Sequence, residues 1–523
     1  MDLYLDIDGI LLNYDSDSRA DYSIELIDYI TNEFDCYWLT THCKGDAAPA
    51  IEYLSDYFPA ETIEKLKTIK PTYWEDLKTE GINFEKKFIW LDDDPFQTEV
   101  SVLEHFGVSN SIYKVDLKNE NELLTVLNHL KGIVGKKRQK RRNIMIICLT
   151  ILAALILSKF LWMTICNWNI KNFDTEKNDI FKRRNYLIEQ IIVEPQELLE
   201  KMPAAVGSQF QGEWALYSAS MLSASLTNIA HIYPETKQES LQNIDRLIQL
   251  VMSPELRQYD TDRWGEDPLE TLSGNKSHIS YISHLAWMIS GYKQIGGDRK
   301  YDKLYKQLCQ TMNRRIRQSP NMNLQTYPGE MIYVPDMLVA IVALANYSKQ
   351  NKGEYWPTVH SWLQLMQNDW IDRESGQIAS FIPNGKTESD NLTAKGSYSA
   401  LSCYYLTFVD KEFAKKQYNI LKDNFYQNRL IAGFREHYDK NCLLGFDIDA
   451  GPILFNLSPS GTAFGIGPAT YFKDWESRKR MLKTAELAGF TVSNDHQRHY
   501  LLADIALVGE AITLAMRTAT EWR

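Results

Sequence analysis

The chain has 523 residues, 44% of them apolar and 24% charged, which leaves room for two or three domains with proper cores and excludes a disordered polymer. Its net charge of −11 argues against a nucleic-acid-binding surface spread over the whole molecule. The seven scattered cysteines, with no CxxC and no Cys/His metal spacing, exclude a disulfide framework and a zinc site.

The first 130 residues alternate strands and helices. A short apolar strand, Leu3 to Leu5, runs into Asp6-Ile7-Asp8-Gly9. A helix around Tyr22 to Glu33 follows, then a strand Cys36 to Leu39 ending in Thr40-Thr41, helices between Pro49 and Lys67, and a strand Phe88 to Leu91 ending in Asp92-Asp93-Asp94-Pro95. Alternation of this kind predicts a parallel, doubly wound α/β sheet, whose ligand edge lies at the carboxyl ends of the strands. Two strands thus deliver acidic pairs to one edge, where unneutralised carboxylates repel. A Mg²⁺ ion with oxygen ligands resolves that conflict. One Asp of the first pair is then free to attack phosphorus while the other exchanges a proton with the leaving group. A hydroxyl from the second strand and a lysine would hold the phosphoryl oxygens.

Residues 136–142 read KKRQKRR, six basic residues in seven positions, and Ile144 to Ile165 follows with Lys159 as its one charge. A bilayer core about 30 Å thick needs roughly 20 apolar residues, so this stretch is long enough to cross; a buried core helix is the alternative. The basic run abuts one end only, Trp162 and Trp168 lie at the other, and Lys159 is close enough to that end to snorkel. The flanks predict a single-pass anchor with a cytoplasmic N-terminus and an extracytoplasmic C-terminal part, the basic run touching anionic lipid. The expected divisions are an α/β domain over 1–130, a basic juxtamembrane segment over 131–143, the span over 144–166, a linker with a first helix over 167–205, and an all-α domain over 206–523.

Beyond the span about twelve segments show helical apolar periodicity, from the amphipathic stretch near Leu187 to Lys201 through to Tyr500 to Met516. A loose repeat pairs them. An apolar helix ends in an aromatic, a short turn carries Asp298, Asp410 or Asp474 as expected N-cap, and a charged amphipathic helix follows. Apolar helices inside and amphipathic helices outside make six hairpins of an (α/α)6 barrel, with an irregular solenoid as the alternative. The long connections from outer to inner helices then gather on one face. They bring His278, Tyr281 and His284, Tyr327, Glu330 and Asp336, Arg435, Glu436 and His437, and Asp447 and Asp449 to the mouth of the ring. The alternate spacing of Asp447 and Asp449 puts both carboxylates on one side of an extended segment, an arrangement suited to acid/base work. Asp336 as a helix cap, His284 as a core histidine and Tyr327-Pro328-Gly329 as a plain turn are the structural alternatives.

Two family resemblances add to this reading. Asp6-Ile7-Asp8-Gly9, Thr40 and Phe88 to Asp93 resemble motifs I, II and IV of the haloacid dehalogenase (HAD) superfamily, in order. The resemblance implies Asp6 as nucleophile, Asp8 as general acid/base, and Asp92 and Asp93 completing a Mg²⁺ site with them. It leaves Lys78 competing with Lys70 for the lysine, and Thr40 with Thr41 for the hydroxyl. Little room for a cap, and WLTTH with WLDDDP, look like the HAD domains associated with RNA-repair proteins. That implies a phosphorylated cytoplasmic substrate, nucleic acid entering only as such a substrate. A degenerate member that keeps its acids for metal binding alone is the alternative. HISYISHLAWMISGYKQIGGD with QTYPGEMIYVPDMLVAIVALANY looks like the linalool dehydratase/isomerase family, which implies a lyase or isomerase with an (α/α)6 fold and cofactor-free acid/base chemistry on an alkenol. The loop from Ser319 to Asp336 lacks the cysteines that family is thought to use. The alternatives for the ring are a carbohydrate-active enzyme or a non-catalytic binding module.

Overall fold

A computed structural model describes residues 1–14, 18–203, 207–383, 392–447, 450–504 and 506–522. The chain divides into two compact units, Met1–Leu155 and Ile156–Arg523.

In the first unit the order is β1 (Asp2–Leu5), α1 (Ser23–Glu33), β2 (Asp35–Trp38), α2 (Ala48–Ser55), α3 (Ala60–Leu66), β3 (Phe88–Asp92), α4 (Gln97–His105) and β4 (Ile112–Lys114). The four strands are all parallel, in the order β2-β1-β3-β4. Leu3, Leu5, Trp38, Trp90 and Leu91 are fully buried, as strands covered on both faces require. Leu5 stands opposite Trp38 and Leu91, so Asp6, Thr40 and Asp92 come out at one sheet edge. β4 and α4 were not among the expected elements.

α5 (Glu122–Cys166) is one continuous helix. The basic segment and the apolar stretch, expected as separate divisions, are successive turns of it. Its apolar stretch has a mean hydropathy of 2.6, is long enough to cross a membrane, and has none of its residues buried.

The second unit continues with α6 (Phe173–Ile191), α7 (Pro195–Glu200), α8 (Ser208–Ile232), α9 (Lys237–Val251), α10 (Pro254–Trp264), α11 (Ile279–Gln294) and α12 (Asp302–Gln318). Then come β5 (Ile332–Tyr333), α13 (Val334–Gln350), α14 (Trp356–Asp369), β6 (Phe381–Ile382), α15 (Gly396–Leu406), α16 (Lys411–Phe425), β7 (Tyr426–Asn428) and β8 (Ala432–Phe434). The chain ends with β9 (Leu444–Asp447), β10 (Gly451–Leu454), α17 (Pro459–Tyr471), α18 (Trp475–Gly489), β11 (Thr491–Ser493), β12 (Arg498–Tyr500) and α19 (Leu507–Arg517).

Helices α8, α11, α13, α15, α17 and α19 pack in succession, and α19 returns to α8, so the ring closes as a solenoid would not. Outside it, α6 covers α19 and α8, α9 covers α8 and α11, α12 covers α11 and α13, and α14, α16 and α18 each back one inner helix. The sequence dictates the layers: Val334 to Ser348 of inner α13 is buried without a break, whereas outer α12 buries one face, including Tyr305, Leu308 and Met312. Asp410 and Asp474 cap α16 and α18 through the Phe413 and Ser477 N–H groups, but Asp298 does not cap α12. It instead accepts from the Lys300 N–H inside the preceding turn.

Ring closure is also ionic. Glu176 of α6, fully buried, accepts two bonds from Arg478 of α18, at 2.6 and 2.8 Å, and one from Arg517 of α19, at 2.9 Å. Arg183 of α6 donates to Glu510 of α19 at 2.7 Å. The first outer helix, which the expected divisions left outside the ring, is thereby locked to its last elements.

Candidate functional sites

Asp6 follows β1 directly, Asp92 ends β3 and Asp93 comes next. Carboxylate oxygens of these three residues lie within 4.8 Å of one another. Lys78, from the segment preceding β3, reaches between them, donating to Asp6 and, at 2.6 Å, to Asp92. Lys70 is elsewhere: its ammonium is 3.7 Å from Asp35, which begins β2, at the opposite end of the sheet. Thr40 is fully buried and its hydroxyl accepts from the His42 N–H, whereas Thr41 is exposed.

Asp8 stands apart from the trio. One oxygen meets His42 Nε2 at 2.8 Å, the other accepts from the Tyr53 hydroxyl at 3.4 Å, and the His42 and Tyr53 rings stack at 4.2 Å. Gly9 carries the turn between them at φ +69°, and a Cβ there would lie 2.1 Å from Asp93 Oδ2. Glycine is required here both by the left-handed backbone and by the approach of that carboxylate.

The electrostatics follow from crowding. Burial, then the neighbouring Asp6, push the Asp92 carboxyl up to about 7 against the pull of Lys78. Asp93 is raised for the same first two reasons. Burial works against the charge on Lys78, but Asp6 and Asp92 outweigh it and lift its pKa above the usual lysine value. Three clustered oxygen donors, one raised by burial and then by its neighbour's charge, fit a hard divalent cation such as Mg²⁺.

In the ring, the inner helices start at the face carrying the long connections, as expected. There Glu213 and Tyr217 of α8 meet Asp336 of α13. The Tyr217 hydroxyl donates to Asp336 Oδ1 at 2.6 Å and Thr326 donates to Oδ2 at 2.5 Å. The Tyr327 hydroxyl donates to Glu213 at 2.9 Å, and Arg263 of α10 donates to the same carboxylate at 3.0 Å. Burial pushes Asp336 up to about 6, Thr326 and Tyr217 oppose this, and Glu213 adds to it. Beside them Tyr327, Tyr333, Phe381 and Tyr398 form a partly exposed aromatic rim, with successive centroids 5.0 to 5.3 Å apart. Lys395, at the start of α15, lies over Phe381 and pairs with Asp447 at 2.5 Å.

The other expected residues divide. His278 is fully buried, bonded through Nδ1 to Asp260 at 2.5 Å, so it pins α10 to α11. Tyr281 is fully buried too, its hydroxyl donating to the Val251 carbonyl at 3.0 Å. His284 is a core histidine held to Ser220 at 2.8 Å, and burial lowers its pKa to about 3. Arg435 donates to the His437, Tyr438 and Asn424 carbonyls and so shapes its own connection. Glu436 is buried and accepts from Ser397. Asp449 lies outside the described residues, so the Asp447 and Asp449 pair is not described as a pair. Glu213, Tyr217, Arg263, Lys395 and His42 were not anticipated. Glu213 and Tyr217 carried one signal, an acid and a phenol at helical spacing inside an otherwise apolar and small-residue helix.

No protein-family model matches the chain and no curated protein does. Among solved structures, it is similar to a glycoside hydrolase of family 105 from C. acetobutylicum ATCC 824, with 12% identity and a TM-score of 0.37, over 57% of this chain and 92% of that one. It is also similar to an unsaturated glucuronyl hydrolase specific for heparin, with 10% identity and a TM-score of 0.40, over 64% and 96%. Likenesses this distant carry no argument about activity. Neither the HAD nor the linalool dehydratase/isomerase resemblance gains support from these comparisons.

Proposed function

We propose that the chain is a membrane-anchored protein with two active centres, a Mg²⁺-dependent phosphohydrolase of HAD type in the first unit and a carbohydrate-active enzyme in the ring. The observation that carries the first reading is the convergence of Asp6, Asp92, Asp93 and Lys78 on one sheet edge. Asp6 attacks the phosphorus of a phosphomonoester, forming an aspartyl phosphate as the P–O ester bond breaks. Asp8 gives its proton to the departing oxygen and takes one back from the water that hydrolyses the intermediate. His42 and Tyr53 hold Asp8 for both transfers. Lys78 offsets part of the negative charge of the crowded acids and binds phosphoryl oxygens. Mg²⁺, held by Asp6, Asp92 and Asp93, would neutralise charge on the phosphoryl group. The test is phosphate release from a generic phosphomonoester by the full chain with Mg²⁺. Asp6→Asn is expected to abolish it, and release undiminished by Asp6→Asn would refute the assignment.

In the ring, two carboxylates in unlike settings favour the carbohydrate reading. Burial raises Asp336 to about 6, so a minor fraction keeps its proton near neutral pH and suits a proton donor, Glu213 is paired with Arg263, and the aromatic rim suits a sugar ring. The dehydratase reading finds less footing, because Cys309 and Cys403 are fully buried in the ring's core. Screening the full chain against oligosaccharides tests it: Asp336→Asn should remove any cleavage found, and cleavage that persists would place the proton donor elsewhere.

A further inference from the structure

The last turns of α5 show which face of the ring the apolar helix leaves from. Lys159 lies 4.0 Å over the ring of Phe490, and Trp162 stacks on the same ring at 5.9 Å. Phe490 directly follows α18, at the end where that outer helix reaches the mouth face. Met163 shares a cavity of about 260 Å³ with Leu430 and the Glu476 to Thr484 side of α18. Farther on, Phe173, which begins α6, packs edge-on at 5.6 Å against Trp475, which begins α18. The chain from Lys159 to Phe173 therefore passes from the mouth end of α18 to its far end, so the second unit is entered at its mouth end.

The mouth face is also where the ring is greasy. From Phe173 onward, the exposed large apolar side chains among the described residues all lie in the connections on that face, and none in the short turns opposite. The β9–β10 hairpin contributes Leu444 and Phe446, 70% and 79% exposed, and Phe455 just after it is 65% exposed. Leu430, at the tip of the adjoining β7–β8 hairpin, is 78% exposed and borders the α5 cavity. Exposed apolar tips of this kind are the chemistry of a surface that sinks to the headgroup boundary.

We infer that the mouth face of the ring lies on the lipid leaflet from which α5 emerges, with Leu444, Phe446 and Phe455 at the boundary between headgroups and acyl chains. This rests on α5 being a membrane span, and the experiment separates the two. The full chain is reconstituted in nanodiscs containing an anionic phospholipid and a phospholipid with a diazirine in its acyl chain, irradiated, and mapped by peptide mass spectrometry. Adducts are expected on 144–158 and on 443–455, and not on the short-turn residues 351–355. The double variant Phe446→Ser and Phe455→Ser should lower hairpin labelling at least tenfold and leave helix labelling unchanged. Labelling of the helix without the hairpin overturns this inference and leaves the span intact. Equal labelling of hairpin and short turn also overturns it, and absence of label from both helix and hairpin overturns the span as well.

Discussion

Gly9→Ala is the smallest change that challenges the acidic site. The residue sits at φ +69°, where a side chain costs roughly 1–2 kcal/mol. The added methyl would also lie 2.1 Å from Asp93 Oδ2 and 2.3 Å from its carboxyl carbon, against ordinary contacts of about 3.4 Å or more. Asp93 must therefore retreat by about 1 Å or more, and displacements of that size at a reacting centre cost on the order of 100-fold. Phosphate release by the full chain should fall about 100-fold, while the unit loses only about 1–2 kcal/mol of stability and stays folded. The assays are Mg²⁺-dependent phosphate release and calorimetric Mg²⁺ titration of the same samples. A folded variant with activity and Mg²⁺ affinity within threefold of the parent would refute the claim that Asp93 belongs to the site.

Three more expectations follow from named contacts. Glu176→Gln leaves Arg478 buried without its carboxylate, while Arg517 keeps its pairing with Asp179, a loss of about 3–5 kcal/mol. Amide exchange in α6 and α19 should then accelerate roughly a hundred- to several-thousand-fold, and acceleration below about fivefold would show that the ring closes by packing alone. Asp336 is raised from 3.8 to about 6, so its native form keeps a proton that the unfolded chain has lost. Its contribution is full below about pH 4 and is lost as pH rises through about 6, a change on the order of 3 kcal/mol. Exchange in α13 of the parent, corrected for intrinsic rates, should lose protection from pH 4.5 to 7.5 while Asp336→Asn loses much less, and equal losses would contradict this placement. His42→Ala frees Asp8 from its 2.8 Å partner. It should lower kcat about tenfold with little change in KM. A change in KM alone would make His42 a substrate contact instead.

The acidic edge was legible because it is local: DIDG and WLDDDP each follow an apolar strand, and a parallel sheet brings such ends together. Choosing between Lys78 and Lys70 needed the fold, since both precede β3 and only the path of the chain takes one back between Asp6 and Asp92. Eleven of the twelve ring helices were legible from periodicity, but α6 was not: the stretch expected near Leu187 to Lys201 covers only its last turn, a break and α7. The placement of long connections on one face followed from alternating layers. α10 escaped notice because PELRQYDTDRW lacks an apolar stripe of its own and buries polar side chains such as Asp260 and Arg263. For the same reason His278 was expected at the mouth, although its partner Asp260 holds it inside. Periodicity shows which face of a helix is apolar but cannot show that a polar residue in a connection serves to pin two helices together. Glu213 failed in the opposite sense: it lies in a helix buried almost throughout, where an acid is unexpected until Arg263 arrives from a different element.

The central claim is that Asp6 carries phosphate between substrate and water. Borohydride reduction of the full chain during turnover of a phosphomonoester, followed by peptide mass spectrometry, converts a phosphorylated aspartate to homoserine and reads the position directly. The account predicts homoserine at residue 6, dependent on Mg²⁺. Sustained phosphate release with no modification at residue 6, or with modification at another carboxylate, would contradict it.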